Sequence, residues 1–136
     1  MLAVFENLGG IALDRSGTLY ISDSVAIHRV SGGIISAIAP GHGGPICFDA
    51  VGALYEGLWG MVAKLPPGAS DFITVAGNGK PGFAGDNGPA TNAQIGASGG
   101  IAADSQGNLW IADTSNGRIR KVTPDGVIAA ATGVAA

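Results

Sequence analysis

The chain has few of the residues from which most catalytic and metal sites are built. Its 136 residues include one cysteine, two histidines and two glutamates. The single Cys47 excludes an intramolecular disulfide and any site made of several cysteines, and its apolar setting in PICFDA favours a buried thiol. No carboxylate pair of defined spacing occurs. The sequence therefore predicts no catalytic residue.

Charge is also scarce, because charged residues make up only 12% of the chain and the net charge is −3. An acidic chain is a poor partner for phosphate backbones or anionic membrane surfaces. The one basic cluster, Arg118, Arg120 and Lys121, is interpreted as a solvated outer strand. Every apolar run is interrupted within about ten residues, too few to cross a bilayer. We expect no nucleic-acid or membrane partner, and the sequence does not identify a compartment.

Glycine is abundant, at 24 residues, and it recurs within a repeat. Three segments align without gaps: GIALDRSGTLY (10–20), PICFDAVGALY (45–55) and GIAADSQGNLW (100–110). Each runs from a short apolar strand into an Asp-x-x-Gly turn, in which the aspartate accepts backbone N–H groups and the glycine supplies a positive φ. The predicted turn residues are Asp14, Gly17, Asp49, Gly52, Asp104 and Gly107.

Two further strands complete each unit, the third being AIHRVS, MVAKLP or RIRKVT. Four antiparallel strands per repeat are typical of a β-propeller blade. We predict an all-β chain with blades at about 9–40, 44–77 and 100–133.

A Gly-rich loop, 78–99, is inserted between the second and third blades. Its glycines and prolines are taken to exclude regular strand, and it lacks the motif and the following helix of a phosphate-binding loop. We expect an ordered loop held by Phe83 and Ile95, with one helical turn starting near Thr91 or Asn92.

Residues 74–123 carry GFAGDNGPAT ahead of the third repeat, and on this segment the chain resembles NHL repeats of the bacterial, teneurin-type variety. The other two units resemble them more weakly, and EGLWGM (56–61) replaces the polar loop DTSNGR of unit three. The resemblance implies a six-bladed propeller that serves as a scaffold for protein, RNA or small-ligand binding, with enzymes as a minority.

Three blades are half of that number, and an open arc leaves apolar faces and strand edges in water. We therefore predict a homodimer in which two copies close one six-bladed ring. The segment LAVF (2–5) stands where the outermost strand of a preceding blade would lie. It is expected to have no partner in its own chain and to pair beside the last strand, 127–132, of the second copy.

Acidic residues recur at fixed places in the units. Asp14, Asp49 and Asp104 end the innermost strands, so they would meet near the channel mouth and could in principle bind a cation. Their turn-forming role explains them without a ligand, and no metal or cofactor is predicted. Asp23 and Asp113 are expected to accept hydrogen bonds in the turn between the second and third strands.

His42, Trp59 and Asp49 are the candidate ligand-binding residues. His42 lies in the connecting loop PGHGGP, and Trp59 would be costly to expose without a partner. His28 is expected to face solvent on an outer strand. The predicted function is a non-enzymatic binding scaffold for a protein or small molecule. The alternatives are a propeller lyase or lactonase with a divalent cation held by acidic residues and His42, and a building block without a ligand.

Overall fold

The chain is built from antiparallel strands. The computed structural model describes residues 2–131, which form 13 strands in three sheets. Within these residues no helix has the length and apolar character needed to cross a membrane. The all-β class and the propeller-like architecture are therefore confirmed.

The first two sheets have four strands each, and neighbours in sequence are neighbours in the sheet. Such an arrangement needs only tight turns, which the Asp-x-x-Gly segments and plain glycines provide. The first sheet consists of β1 (Gly10–Leu13), β2 (Leu19–Ser22), β3 (Ala26–Ser31) and β4 (Ile34–Pro40). The second consists of β5 (Ile46–Phe48), β6 (Leu54–Leu58), β7 (Met61–Leu65) and β8 (Ile73–Ala76).

The third sheet has a fifth strand, which comes from the Gly-rich segment. Its strands are β9 (Gly88–Pro89), β10 (Ser98–Ala103), β11 (Leu109–Asp113), β12 (Arg118–Val122) and β13 (Val127–Ala130). Strand β9 pairs with β13 at the outer edge. The expectation that segment 78–99 contains no strand was therefore wrong, because proline is tolerated at a sheet edge. The predicted end of this blade, residues 132 and 133, lies outside the described residues.

Two apolar cores lie between the sheets. Ile27, Ile46 and Leu54 form the core between the first and second sheets. Val62 and Ile111 belong to the core between the second and third sheets. Strand alternation directs apolar side chains to both faces of each sheet, so each internal blade face is covered by the next blade.

The Gly-rich segment is fixed to the third sheet by a buried arginine. Arg120 is fully buried, and its guanidinium contacts the Asp86 carboxylate at 2.7 Å and the Asp113 carboxylate at 3.3 Å. It also donates to the Gln94 carbonyl at 3.1 Å. The prediction that the basic cluster is solvated was wrong for Arg120, because Asp86, 34 positions away in the chain, compensates its burial.

The two predicted anchors of the same segment differ in their environment. Ile95 is fully buried in the larger core, after a single turn of 3-10 helix at Ala90–Asn92. Phe83 is about half exposed, and its ring lies under the guanidinium groups of Arg118 and Arg120, at 5.1 and 5.0 Å. Phe83 is thus held by cation–π contacts rather than by an apolar surface.

The N-terminal segment contacts its own first blade. The Phe5 ring packs edge-on against His28, with centroids 5.3 Å apart. The Glu6 carbonyl accepts a hydrogen bond from the Ser24 amide at 2.9 Å. Residues 2–9 are not strand, so this segment pairs with no strand in the described part of its own chain, although Phe5 and Glu6 contact the first blade. Its pairing with a second copy stays a prediction.

The Arg120 network predicts a large difference between two neighbouring arginines. Arg120→Met leaves buried carboxylate oxygens without their cation, so we expect a loss of about 3 kcal/mol in the free energy of unfolding. The control Arg118→Met changes an exposed arginine that contacts the same Phe83 side chain, and it should lower the free energy of unfolding by about 0.5 kcal/mol. Urea denaturation followed by circular dichroism measures both values. Equal losses in the two variants would contradict a stabilising role for the buried network.

Candidate functional site

Two cavities lie at opposite ends of the innermost strands β1, β5 and β10. The one where these strands end, called here the aspartate cavity, measures about 420 Å³, and Asp14, Asp49 and Asp104 line it together. The other lies where β5 and β10 begin and measures about 400 Å³. His42, Trp59 and Ser98 are among the residues that line this second cavity, called here the histidine cavity.

The three aspartates of the aspartate cavity make the same turn. In Asp104 one carboxylate oxygen accepts the amides of Gln106 at 3.0 Å and Asn108 at 2.9 Å. Gly107 has a φ of 84°, which closes the turn. Gly17 and Gly52 also have positive φ, and Asp14 and Asp49 accept the two corresponding amides.

The second oxygen of two of these aspartates binds the aromatic residue of the next strand. The indole N–H of Trp110 donates to Asp104 at 3.0 Å, and the hydroxyl of Tyr55 donates to Asp49 at 3.0 Å. The bond from Trp110, followed by that from Asn108, lowers the pKa of Asp104 from 3.8 to about 2. The pKa of Asp14 is also lowered, first by the Ser16 hydroxyl. These carboxylates are engaged within the fold.

No group of three or more His, Cys, Asp or Glu side chains that could hold a metal ion occurs among residues 2–131. Asp49 and His42 flank β5 at its two ends, and a strand rises about 3.3 Å per residue, so the three-residue strand separates them by about 10 Å. The structure therefore brings His42 together with Trp59, and it brings Asp49 together with the other two aspartates.

A buried carboxylate supports the histidine cavity from beneath. Glu56 is fully buried on β6, and one of its oxygens accepts the His42 backbone amide at 2.8 Å. Its other oxygen lies 3.1 Å from His42 Nδ1. An ionised carboxylate can only accept, so in a bond to ionised Glu56 the imidazole donates from Nδ1, and Nε2 points away from the pair. The His42 side chain itself is 57% exposed.

Trp59 forms the rim of the same cavity. Leu58 and Met61 are paired across β6 and β7, so Trp59 and Gly60 are the two residues of a tight hairpin. Gly60 has a φ of 79°, and a positive φ at the second central residue is typical of a type II turn. The indole side chain is 65% exposed, while the backbone of Trp59 bridges to Ala97 of the next blade. An exposed aromatic ring is thus fixed on a short, restrained turn.

Ser98 adds a polar atom without a partner. Its Oγ is buried and has no hydrogen-bond partner in the described part of the chain. Its side chain lies beside Gly57, where an added Cβ would stand 2.8 Å from Ser98 Cβ. In the first blade Ser22 occupies the position of Gly57, and its hydroxyl donates to the Gly44 carbonyl at 2.5 Å. Gly57 therefore leaves the space that the Ser98 side chain fills.

Sequence reasoning did not select Glu56 or Ser98 as site residues. The signal for Glu56 lies in the repeat. The equivalent position in the second strand of the other two blades is Ile21 or Ile111, and each of the three residues pairs with an isoleucine of the innermost strand. A glutamate thus stands in a buried column that is isoleucine in both other blades. Burying a carboxylate is costly unless it is hydrogen-bonded, and here His42 supplies the bonds.

The remaining turn aspartates serve the blades themselves. Asp23 accepts the amides of Ala26 and Val25, and these bonds, with one from His28, hold its pKa at about 2. His28 Nε2 lies 3.1 Å from Asp23, and only 18% of the His28 side chain is exposed. The expectation that His28 faces solvent was wrong because Phe5 covers it.

The lowered pKa of Asp104 predicts a loss of stability in acid. A carboxyl whose folded pKa lies below its unfolded value stabilises the fold above about pH 4, and this stabilisation is lost as the pH falls toward about 2. In Asp104→Asn the free energy of unfolding should fall less steeply between these pH values. Some pH dependence should remain, because the pKa of Asp23 is also lowered. Urea titrations across this pH range measure the slope, and an unchanged slope in the variant would contradict the assignment.

Comparison with known proteins finds a family to which the third blade is similar. Residues 99–122, which run from β10 to the end of β12, match the NHL repeat model. The Arabidopsis thaliana protein SUPPRESSOR OF QUENCHING 1, chloroplastic, is 30% identical over 117 residues, which are 84% of this chain and 11% of that protein. The chain thus spans about a tenth of this relative.

Solved structures share the fold at low sequence identity. A Bacteroides thetaiotaomicron protein of unknown function is 23% identical with a TM-score of 0.78, over 93% of this chain and 36% of that one. An auxiliary nutrient binding protein from Bacteroides ovatus is 14% identical with a TM-score of 0.77, over 97% and 37%. A streptogramin B lyase is 19% identical with a TM-score of 0.66, over 98% and 43%.

The chain spans less than half of each of these solved structures. Likeness at such identities carries the fold alone. The chain has a β-propeller-like fold, and its residues 99–122 are similar to an NHL repeat.

Proposed function

We propose that this chain is a non-enzymatic propeller scaffold, in which two copies close a six-bladed ring that binds a ligand on one rim. The observation that carries the proposal is the pair of apolar faces at the two ends of the blade array. Each of them is the repeat counterpart of a face that is buried inside the chain.

The open face of the third blade shows this equivalence. Ile27, Val62 and Ile119 occupy the same position in the third strand of successive blades, each two residues before a basic residue. Ile27 and Val62 are completely buried by the following blade, whereas Ile119 is 48% exposed. Ile119 lines a mostly apolar cavity on this face, together with residues of β10 and β11 such as Ile101 and Trp110. A neighbouring blade on this face would bury Ile119 as Ile27 and Val62 are already buried.

The open face of the first blade is its complement. Ile11 and Ile46 are equivalent residues of the innermost strands, and Ile46 is 5% exposed against 70% for Ile11. Leu13 on the same strand is also exposed. Burying one such side chain contributes about 1.5–3 kcal/mol. Leaving these faces in water therefore costs free energy that a partner blade would recover.

A second copy is the occupant that these faces fit. The third blade of one copy would cover the first blade of the other, and the same contact on the opposite side would close the ring. Each junction would repeat the packing of Ile27 on Ile46 that already exists within the chain. With closure, three blades per copy become six and no blade face remains uncovered.

A lyase or lactonase is the second candidate function, and the His42–Glu56 pair favours it. An imidazole held by a buried carboxylate is suited to accept a proton at Nε2. The separation of His42 from Asp49 argues against a cation shared between them. Metal analysis of the purified protein decides this point: a stoichiometric divalent ion that is lost in both His42→Ala and Asp49→Asn would favour the enzyme.

The ring predicts the mass of the chain in solution. At micromolar concentration, light scattering should give twice the mass of the 136-residue chain. Ile119→Lys puts a charge into the proposed junction and should weaken the dimer by at least about a hundredfold. Val51→Lys, a matched change at an exposed valine on a turn of the second blade, should remain dimeric.

A monomeric wild-type chain with a cooperative unfolding transition would overturn closure by a second copy. So would a dimer that Ile119→Lys leaves unchanged.

A further inference from the structure

We propose that the histidine cavity is a subsite for a neutral sugar ring of the pyranose type, stacked on Trp59 and hydrogen-bonded by His42 and Ser98. The inference deepens the binding function proposed above and rests on it. The cavity measures about 400 Å³, enough for a ligand of this size.

The first step in the argument is charge. Among residues 2–131 no Asp, Glu, Lys or Arg lines the histidine cavity, so a strongly charged ligand would find no counterion from this part of the chain. Its lining consists of an imidazole, a hydroxyl, an indole, small apolar side chains and glycines. Such a surface selects a neutral ligand that combines an apolar face with polar edges.

The second step is the fixed orientation of the imidazole. Glu56 holds His42 through both the backbone amide and Nδ1, at 2.8 and 3.1 Å. This leaves Nε2 as the one ring nitrogen free to meet a ligand, on a side chain that is 57% exposed. The other two blades have isoleucine at the position of Glu56 and fold equally well, so the blade does not require a carboxylate there.

The third step is the unsatisfied hydroxyl. Buried polar side-chain atoms normally have a hydrogen-bond partner, and an exception calls for an explanation. Ser98 is among the residues that line the cavity, and its buried Oγ has no partner among the described residues. A ligand hydroxyl can act as both donor and acceptor, so it suits a serine Oγ and an imidazole Nε2 equally well.

The fourth step is the exposed indole. Trp59 is 65% exposed on a two-residue turn, so the indole is accessible to a ligand and its backbone has little freedom to lose on binding. A pyranose ring offers C–H groups on one face and hydroxyls around its edge. The indole would cover the apolar face, while the two polar groups reach the edge.

Ligand-observed NMR tests this assignment with the full chain. D-glucose, D-galactose and N-acetyl-D-glucosamine are the neutral probes, and D-glucuronate is the charged comparator. At least one neutral sugar should give saturation transfer with millimolar affinity, and glucuronate should bind at least about tenfold more weakly.

Variants locate the binding. Trp59→Ala and Ser98→Ala should each weaken it by about tenfold, and Val51→Ala, an exposed change on the opposite rim, should leave it unchanged. Glu56→Gln keeps the shape but removes the acceptor charge that fixes the imidazole, and it should weaken binding without loss of fold by circular dichroism. Binding by wild type that Trp59→Ala leaves intact would overturn the assignment, as would the absence of binding by all three neutral sugars.

The subsite and the ring fail in different experiments. The histidine cavity is lined entirely by residues 42–98 of a single chain. The Ile119→Lys variant should therefore bind the sugar even where it no longer dimerises. Loss of dimer with retained sugar binding separates the two proposals.

Discussion

The apolar faces inside this chain are buried by neighbouring blades. Each sheet is four or five strands wide and carries apolar side chains on both surfaces, and the described chain has no long helix to cover them. The stack of blades follows from this constraint. The same constraint leaves one face uncovered at each end of a three-blade array, and these faces carry Ile11 and Ile119.

The turns depend on a second, local constraint. A blade needs its innermost strand to return within a few residues, and the aspartate of Asp-x-x-Gly makes this possible by accepting two backbone amides. The aspartates therefore gather at one end of the innermost strands for structural reasons. At the opposite end Asp23 and Asp113 accept hydrogen bonds in the first and third blades, and the second blade differs from both. His42, Glu56 and Trp59 have no counterparts in the other two units.

The parts of the fold that rest on local signals could be predicted from the sequence. The third strand of the first blade, Ala26–Ser31, has the bounds that its apolar pattern indicates. The parts that rest on distant contacts could not. The burial of Arg120 depends on Asp86, and the strand Gly88–Pro89 exists only because β13 offers it an edge. The pairing of His42 with Glu56 joins residues 14 positions apart, although a glutamate in an isoleucine column was a visible signal.

Cross-linking between the two open faces tests the central claim most directly. The test uses a chain with both Ile11→Cys and Ile119→Cys. Ring closure would bring the introduced thiol at position 119 of one copy next to the thiol at position 11 of the other, as Ile27 packs against Ile46 inside the chain. Cys47 does not compete, because burial raises the pKa of its thiol to about 12. Under mild oxidation, mass spectrometry without reductant should show a covalent dimer with two intermolecular disulfides. A chain that stays uncross-linked, or a ladder of open multimers, would contradict the closed ring.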